Sequence, residues 1–460
     1  MNKAPFSALD LPPAFLANLD SLGYQNMTPI QAKSLPIVLD GHDLIAQAKT
    51  GSGKTAAFGI GILSHVNPKF FGIQALVLCP TRELADQVAK ELRRLARHIE
   101  NIKILSLCGG SPMGPQIGSL EHGAHIVVGT PGRIRDHLGR GTIILNTIST
   151  LVLDEADRMV DMGFYDDIAG IVSACPKRRQ TLMFSATYPD TIRKESARFL
   201  KSPVEIRVES LHDSGQIEQR FYEVVHEERN AAVALVLDHF RPKSALVFCN
   251  TKIHCRELAA MLQEQGFAAL ALYGDLEQRD RDEILIRFAN RSCSVLVATD
   301  VAARGLDIST LDVVINVDVS RDTEVHIHRI GRTGRGEDCG LAVSLASAAE
   351  KKWVKLIEEY QNAPAQWFGL DTLTPGTEPR EPAMVTLCIS GGKKEKLRPG
   401  DILGAFTGEG GLAGSDIGKI NITEFISYVA LNQRIAHKAL KRLADCNIKG
   451  KRYKMRLIGG

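Results

Sequence analysis

Nine cysteines stand at positions 79, 108, 175, 249, 255, 293, 339, 388 and 446, an odd number with no CxxC pair among them. Neither a disulfide framework nor a structural zinc site is signalled by that spacing. The thirteen histidines show no ligand-like pairing either. No stretch approaches the roughly 18 unbroken apolar residues that a membrane-spanning helix needs. The first residues, MNKAPFSALDLPPAF, hold one lysine and no apolar run ahead of a small-residue cleavage site, so no signal peptide is expected. A reducing cytoplasm and no membrane partner fit these absences. An excess of one charge is missing as well, since the formal net charge of the 460 residues is only +3. Its placement, however, is uneven. Residues 384–460 hold fourteen Lys or Arg against six Asp or Glu, a net of +8, which leaves −5 for the rest. A basic tail on a slightly acidic body points to a polyanionic partner.

The length allows two or three domains, each with its own core. From about residue 40 to 205, short apolar runs alternate with helical patterns: LIAQA, ALVLCP, KILSLCGG, HIVVGTP, TLVLDEAD and TLMFSAT. These runs are continuous rather than alternating in polarity, as strands covered on both faces require. After the polar stretch ESLHDSGQ at 209–216 the rhythm restarts with ALVFCNT, ALALYGD, VLVATD, VVINVD and LAVSLAS. The pattern predicts two parallel α/β lobes, over 1–208 and 217–361, without a direct sequence repeat between them. Residues 362–383 carry Pro364, Pro375, Pro379 and Pro382 and read as a linker. A β-α-β-β-α-β pattern then fills a third, small domain over 384–460.

The apolar run LVL at 151–153 ends in a knot of carboxylates, Asp154, Glu155 and Asp157. A reason for that knot lies upstream in AKTGSGKT, residues 48–55, set between LIAQ and the helix-like AAFGIGIL. Ala48, Lys49, Thr50, Gly51, Ser52 and Gly53 make a turn whose backbone N–H groups can wrap an anion. Lys54 can then reach β and γ phosphates, and Thr55 can hold Mg2+. Ala48 stands where the general P-loop pattern has its first glycine. Asp154 would present a carboxylate to the metal, and Glu155 would align or deprotonate an attacking water. Taken alone, the loop also fits a turn capping a helix, and the acids a solvated strand end. The third element is HRIGRTGR, residues 328–335. Arg332 and Arg335, three apart among glycines, match a transferring phosphoryl group. In isolation they read equally as surface arginines or contacts to an RNA backbone.

Together these residues resemble the DEAD-box family of ATP-dependent RNA helicases, over roughly residues 6–350. GYQNMTPIQ, ending at Gln31, is similar to the family's adenine-reading Q motif, with Tyr24 inside it and Phe6 at the upstream aromatic position. AKTGSGKT, DEAD (154–157) and SAT (185–187) match the motifs for phosphate, metal and interlobe coupling. PTRELA (80–85), GG (109–110) and TPGR (130–133) match the RNA-contacting motifs of the first lobe. In the second lobe the similar segments are VFCNT (247–251), QRDR (278–281), ATDVAARGLD (298–307) and HRIGRTGR. The resemblance implies two tandem RecA-like lobes, ATP and Mg2+ as cofactors, and RNA as partner. It implies that Gln31 pairs with adenine N6 and N7, as a side-chain amide can, that Asp307 touches ribose, and that Arg332 and Arg335 are arginine fingers completing the site on closure. Asp157, Ser185, Thr187 and His328 would couple the lobes. Pro80, Thr81, Arg82, Gly110, Thr130, Pro131, Gly132, Arg133, Thr251, Gln278, Arg281, Thr299 and Asp300 would line the RNA path. Their hydroxyl and guanidinium groups suit phosphate and sugar, so the core is expected to be indifferent to RNA sequence. Cooperative binding of ATP and a bent single strand implies local melting of short helices.

Residues 384–460 resemble a divergent RNA-recognition motif, and the whole arrangement is similar to the bacterial DbpA subfamily. That likeness implies recognition of a hairpin in the peptidyl-transferase region of 23S rRNA and a role in assembling the large ribosomal subunit. The expected fold is therefore two RecA-like parallel-sheet lobes followed by a small α+β domain of the RNA-recognition-motif type. On its third strand EFISYVAL keeps one stacking aromatic, Tyr428, and TLCISG on the first strand has none. Lys393, Lys394, Lys396, Arg398, Lys449, Lys451, Arg452 and Lys454 are the expected contact set beside it. Two rivals stand: a passive RNA-binding assembly factor whose ATPase has decayed, although no lysine, carboxylate or finger is missing, and a DNA-stimulated helicase. A monomer is expected.

Overall fold

The computed structural model describes residues 4–48, 51–188, 198–208, 217–303, 311–334, 339–376, 381–444 and 446–459. The chain divides into two compact units, the first over residues 1–212 with 305–307, the second over 213–304 with 308–460.

The first unit is built on a seven-stranded parallel sheet: β1 (Leu44–Gln47), β2 (Ala75–Leu78), β3 (Ile104–Leu107), β4 (Ile126–Gly129), β5 (Thr150–Asp154), β6 (Gln180–Ser185) and β7 (Val204–Arg207), in the spatial order β3-β4-β2-β5-β6-β1-β7. β2, β4 and β5 are buried along their whole length, because helices cover both faces, as in other all-parallel sheets. One covering helix, Arg82–Leu95, buries Leu84, Ala85, Val88, Ala89, Leu92 and Leu95 while its charged face stays outside. That spacing is the 3.6-residue stripe of an amphipathic helix.

The second unit repeats the architecture with β8 (Ile217–Glu223), β9 (Ala245–Cys249), β10 (Ala269–Leu272), β11 (Val295–Thr299), β12 (Val313–Asn316), β13 (Gly340–Ala346) and β14 (Trp367–Phe368), in the order β10-β11-β9-β12-β13-β8-β14. Strand for strand this is the order of the first sheet. A topological repeat therefore exists without a sequence repeat, since a buried strand is required only to be apolar. The stretch read as a linker is in part a piece of this lobe. β14 pairs with β8, and Leu373 is buried in the lobe's core. Its four prolines suggested a tether, but Leu373 is buried and Phe368 half-buried against the lobe's core, and burial of apolar surface stabilises. Pro379 lies outside the described residues.

The same unit ends in a four-stranded antiparallel sheet of β15 (Met384–Ile389), β16 (Ile417–Ile422), β17 (Ser427–Asn432) and β18 (Met455–Ile458), ordered β16-β17-β15-β18. Helices Pro399–Thr407 and Ala436–Leu443 complete the β-α-β-β-α-β order. Both cover one face, where Val385, Leu387, Ile389, Val429 and Leu431 join Ile402, Phe406, Ala439 and Leu443 in a core. Strand alternation sends Thr386, Cys388 and Tyr428 to the other face. That face is not open. Cys388, Tyr428 and Ile458 pack with Ile286 of the helix Gln278–Ala289. The Thr386 and Ser292 hydroxyls are 2.6 Å apart, and Asn421 Nδ2 donates to Asn290 Oδ1 at 2.9 Å.

Candidate active site and nucleic-acid interface

In parallel α/β sheets, ligand sites gather beyond the carboxyl ends of the strands. In the first lobe the predicted motifs sort themselves along that edge. The P-loop follows β1, the DEAD carboxylates end β5 and SAT ends β6, all neighbours on one side of the sheet. PTRELA follows β2, GG follows β3 and TPGR follows β4, on the other side. One edge thus carries the motifs expected to meet nucleotide and those expected to meet the strand in adjacent blocks.

The nucleotide block is laced together by its own backbone. Ala48 N–H donates to the Ser185 carbonyl at 2.9 Å, and Gln47 Nε2 to the Ala186 carbonyl at 3.3 Å. Lys54 opens the helix Lys54–His65, is buried, and donates from Nζ to the Ala48 carbonyl at 3.0 Å. Gly53 sits at φ +92°, and a Cβ there would lie 2.5 Å from Gln31 Nε2. Only glycine meets both conditions. The space is used: Gln31 Oε1 accepts from the Thr28 backbone N–H at 2.8 Å, and Nε2 donates to the Gly53 carbonyl at 3.1 Å. One lone pair and one N–H of the amide stay unspoken for, which is the pair of functions that adenine N6 and N7 require. Gln31 is only 1% exposed. Phe6 is buried too, edge-on to Tyr24 at 5.9 Å, and the Tyr24 hydroxyl donates to Glu91 at 2.7 Å.

Burial pushes the Asp154 carboxyl up to about 7, against the pull of the Lys54 ammonium. A buried carboxylate beside a phosphate loop and a Thr hydroxyl is a donor set that a divalent cation would hold ionised, and Mg2+ sites on nucleotides need only one or two protein carboxylates. Glu155 has φ +52°, a left-handed conformation rare for a residue with a side chain. Its carboxylate is held by Arg158 Nη1 at 3.0 Å, both groups being buried. Arg158 escaped sequence reasoning, because nothing in its spacing separates it from a surface arginine. Asp157 is engaged within the lobe: its Oδ2 accepts from the Thr187 N–H at 2.9 Å, the Thr187 hydroxyl at 3.0 Å and the Ala186 N–H at 3.2 Å. Ser185 Oγ in turn donates to the Thr187 carbonyl at 2.5 Å. These bonds tie the DEAD and SAT segments together. Gly51, Ser52 and Thr55 lie in the described loop and helix start, while Lys49 and Thr50 lie outside the described residues.

In the strand-binding block, Thr81 caps the helix Arg82–Leu95 by accepting from Leu84 N–H at 3.3 Å, with Pro80 buried before it. Arg82 lies 3.8 Å from Asp86. Gly110 is exposed at φ +72°. Thr130, Pro131 and Gly132 start the helix Pro131–Gly139, and Arg133 Nη1 donates to Ser111 O at 3.0 Å and Gln116 Oε1 at 2.9 Å.

The second lobe places its candidates at the corresponding strands. Thr251 follows β9 and caps the helix Lys252–Glu264, Gln278 and Arg281 follow β10, and Thr299 ends β11. Arg281 Nη2 donates to Ala302 O at 2.7 Å. Both oxygens of Asp300 receive Arg329, at 2.7 and 2.6 Å, so it positions that arginine. Arg329 also donates to Asp318 O at 2.9 Å and Asn250 Oδ1 at 3.1 Å. It thereby ties the ends of β9, β11 and β12 together, a role its place inside HRIGRTGR did not reveal. His328 lies half-buried on the helix Thr323–Ile330, and Arg332 is buried in the turn after it. Arg335 and Asp307 lie outside the described residues.

On the tail the structure corrects one expectation. Tyr428 is 3% exposed on the face that packs against Ile286, with its hydroxyl 3.5 Å from Glu283. It is a docking residue, and a stacked base has no access to it. The eight basic residues expected to meet RNA are all exposed.

Three family descriptions match the chain: DEAD/DEAH box helicase over residues 28–194, helicase conserved C-terminal domain over 227–337, and DbpA RNA binding domain over 386–457. The ATP-dependent RNA helicase DbpA of Escherichia coli K12 is 52% identical over 454 residues, covering 98% of this chain and 99% of the relative. The helicase CshA of Listeria monocytogenes is 44% identical over 77% of this chain and 68% of its own length. Among solved structures, Saccharomyces cerevisiae Dbp5 bound to RNA and ADP BeF3 is similar with a TM-score of 0.74 at 29% identity, covering 80% of this chain and 96% of that one. Mss116p bound to ssRNA and AMP-PNP is similar with a TM-score of 0.72 at 28% identity, covering 80% of each chain.

Proposed function

The chain belongs to the DEAD-box ATP-dependent RNA helicases, with a tail of the DbpA RNA-binding type, and from that membership we propose a specific task for it: ATP-driven local melting of short rRNA helices at a place chosen by the tail. The observation that carries the proposal is the division of labour along the chain. Nucleotide residues and strand-binding residues occupy neighbouring ends of one sheet, and their RNA-facing chemistry is of the kind that holds backbone without reading bases. Choice of RNA then falls to the basic tail. In this reading the target is a hairpin of the peptidyl-transferase region of 23S rRNA, met during large-subunit assembly in the cytoplasm by a monomeric enzyme.

Within the first lobe, Lys54 meets the phosphates, Gln31 selects adenine, and Glu155, clamped by Arg158, orients the attacking water. Thr55 and Asp154 would hold Mg2+, whose charge neutralises the developing negative charge on the phosphates. Opening five base-pair steps at about 1.4 kcal/mol each costs roughly 7 kcal/mol, within reach of one ATP-coupled strand-binding event, so melting is local. The test is ATP turnover with intact 23S rRNA, with its hairpin fragment and with unrelated RNA of equal length. Strong stimulation by the first two alone is expected. Equal stimulation by all three would reject the targeting, and equal stimulation by DNA would reject RNA as the substrate class.

A further inference from the structure

The face on which RNA-recognition motifs stack bases is occupied here by the second lobe, so the tail must bind RNA elsewhere, and the sheet's loop end offers a built surface. Three loops converge there. The loop after β15 is tied to the β16–β17 turn by Lys393 N–H to Thr423 O and Lys394 N–H to Glu424 O, each at 3.0 Å. It is tied to the segment before β18 by Ser390 N–H to Lys454 O at 2.9 Å and by Lys449 Nζ to Lys396 O at 2.9 Å. Lys396 and Lys449 both have positive φ, +57° and +53°. Such conformations are costly for a lysine and persist where surrounding structure imposes them. At the tip of the turn stands Phe425, 55% exposed. A single exposed phenylalanine is ordinary. This one has the Lys394 ammonium 4.3 Å from its ring centroid, and that ammonium also lies 3.7 Å from Glu424 Oε1. A flat ring beside a cation is the chemistry of a stacking platform for an unpaired base whose phosphates meet the exposed lysines nearby.

We infer that the tail grips RNA through this loop end, with Phe425 stacking on an unpaired base and Lys394, Lys396 and Lys449 flanking it, while Tyr428 on the covered face takes no part. The inference rests on the reading that the tail binds RNA, and it assigns the site. Phe425 is exposed on a turn whose own bonds run through Thr423 and Ile426, so its replacement leaves the fold intact.

The experiment uses the full chain without nucleotide, titrated into a labelled 23S-derived hairpin and into an unrelated hairpin with the same loop length. Loss of one stacking contact in Phe425→Ala should weaken hairpin binding about tenfold, whereas Phe425→Trp and Tyr428→Phe should stay within about twofold of the wild type. The indole introduced by Phe425→Trp should be quenched on adding RNA, above the background of the two native tryptophans. Binding by Phe425→Ala within twofold of wild type, or an unquenched indole, overturns the assignment. Equal wild-type affinity for both hairpins rejects 23S targeting instead, and leaves the Phe425 comparison readable on either probe.

Discussion

Docking of the tail on the second lobe can be tested through two hydroxyls. Ser292 is 1% exposed and Thr386 not at all, and they share a 2.6 Å hydrogen bond with no water access. Ser292→Ala leaves the Thr386 hydroxyl buried without that partner, which costs about 1–3 kcal/mol; Thr386→Val costs less, because Ser292 Oγ keeps its bond to the Arg287 carbonyl at 3.0 Å. Because Ser292→Ala orphans a hydroxyl that the double variant no longer has, the double variant should lose less than the two singles combined. The coupling energy is expected to be about 1–2 kcal/mol. Native-state hydrogen exchange suits the measurement, since it reports opening free energy element by element where several domains forbid a two-state treatment. Peptides over residues 384–389 and over 278–292 should lose protection together in each single variant. Coupling within about 0.3 kcal/mol of zero, or loss confined to one of the two segments, would refute the docked arrangement and reopen Tyr428 to RNA.

Three further outcomes follow from the site. Glu155→Gln keeps the shape beside Arg158 but removes the base, so ATP should still bind while single-turnover hydrolysis falls roughly 10²–10⁴-fold; undiminished turnover would remove Glu155 from the chemistry. Gly53→Ala places a Cβ 2.5 Å from Gln31 Nε2 at φ +92°, and displacing the loop or the amide should weaken ATP binding at least about tenfold by calorimetry, against an unchanged affinity if the loop were a plain helix cap. His326 is fully buried, and burial with the nearby Arg329 cation pushes its imidazole down to about 3. The unfolded chain gains a proton below about 6.5 that the folded chain refuses until about 3, so stability is lost as pH falls through that window, by about 2 kcal/mol at pH 5. His326→Leu should flatten by that amount the acid limb of the opening free energy that hydrogen exchange reads in the second lobe, and parallel pH profiles would count against it.

What the sequence revealed follows from what physics demands of each segment. Strands buried on both faces must be continuous apolar runs, and β2, β4, β5, β9 and β12 were legible for that reason. β7 (VEIR) and β8 (IEQRFYE) alternate with polar residues, and β14 has only two residues, so a search for apolar runs passes over them. Motif residues such as Lys54 and Gln31 were legible because phosphate and adenine chemistry restricts the residue type. Arg158 was not, because its i,i+3 pair with Glu155 reads like any surface helix pair, and the Arg329–Asp300 pair was not, because an ion pair between distant segments leaves no local pattern. The same holds for Tyr428 and Phe425, three residues apart in one quoted stretch. Which of them is covered depends on what the sheet meets, and only the fold decides that.

That meeting has a consequence for how RNA is presented. On the helix Gln278–Ala289, at 100° per residue, Glu283, Ile286, Arg287 and the following Asn290 form one stripe, while Gln278 and Arg281 point to the opposite side. The first stripe holds the tail sheet through Ile286, Asn290 and Glu283, and the second belongs to the expected RNA path. One rigid element thus separates the RNA-binding domain of the tail from the expected strand-binding edge of the second lobe. The distance along RNA between the recognised hairpin and the melted segment should therefore be set by this helix and not by the chain between Leu373 and Met384. Inserting about ten Gly/Ser residues there should leave the position of melting unchanged on a hairpin with duplex arms at varied offsets, because a flexible tether adds only reach. Breaking the dock with Ile286→Asp should instead broaden the range of offsets that are melted. If the insertion broadens it and Ile286→Asp does not, the tail works on a tether and the helix carries no register.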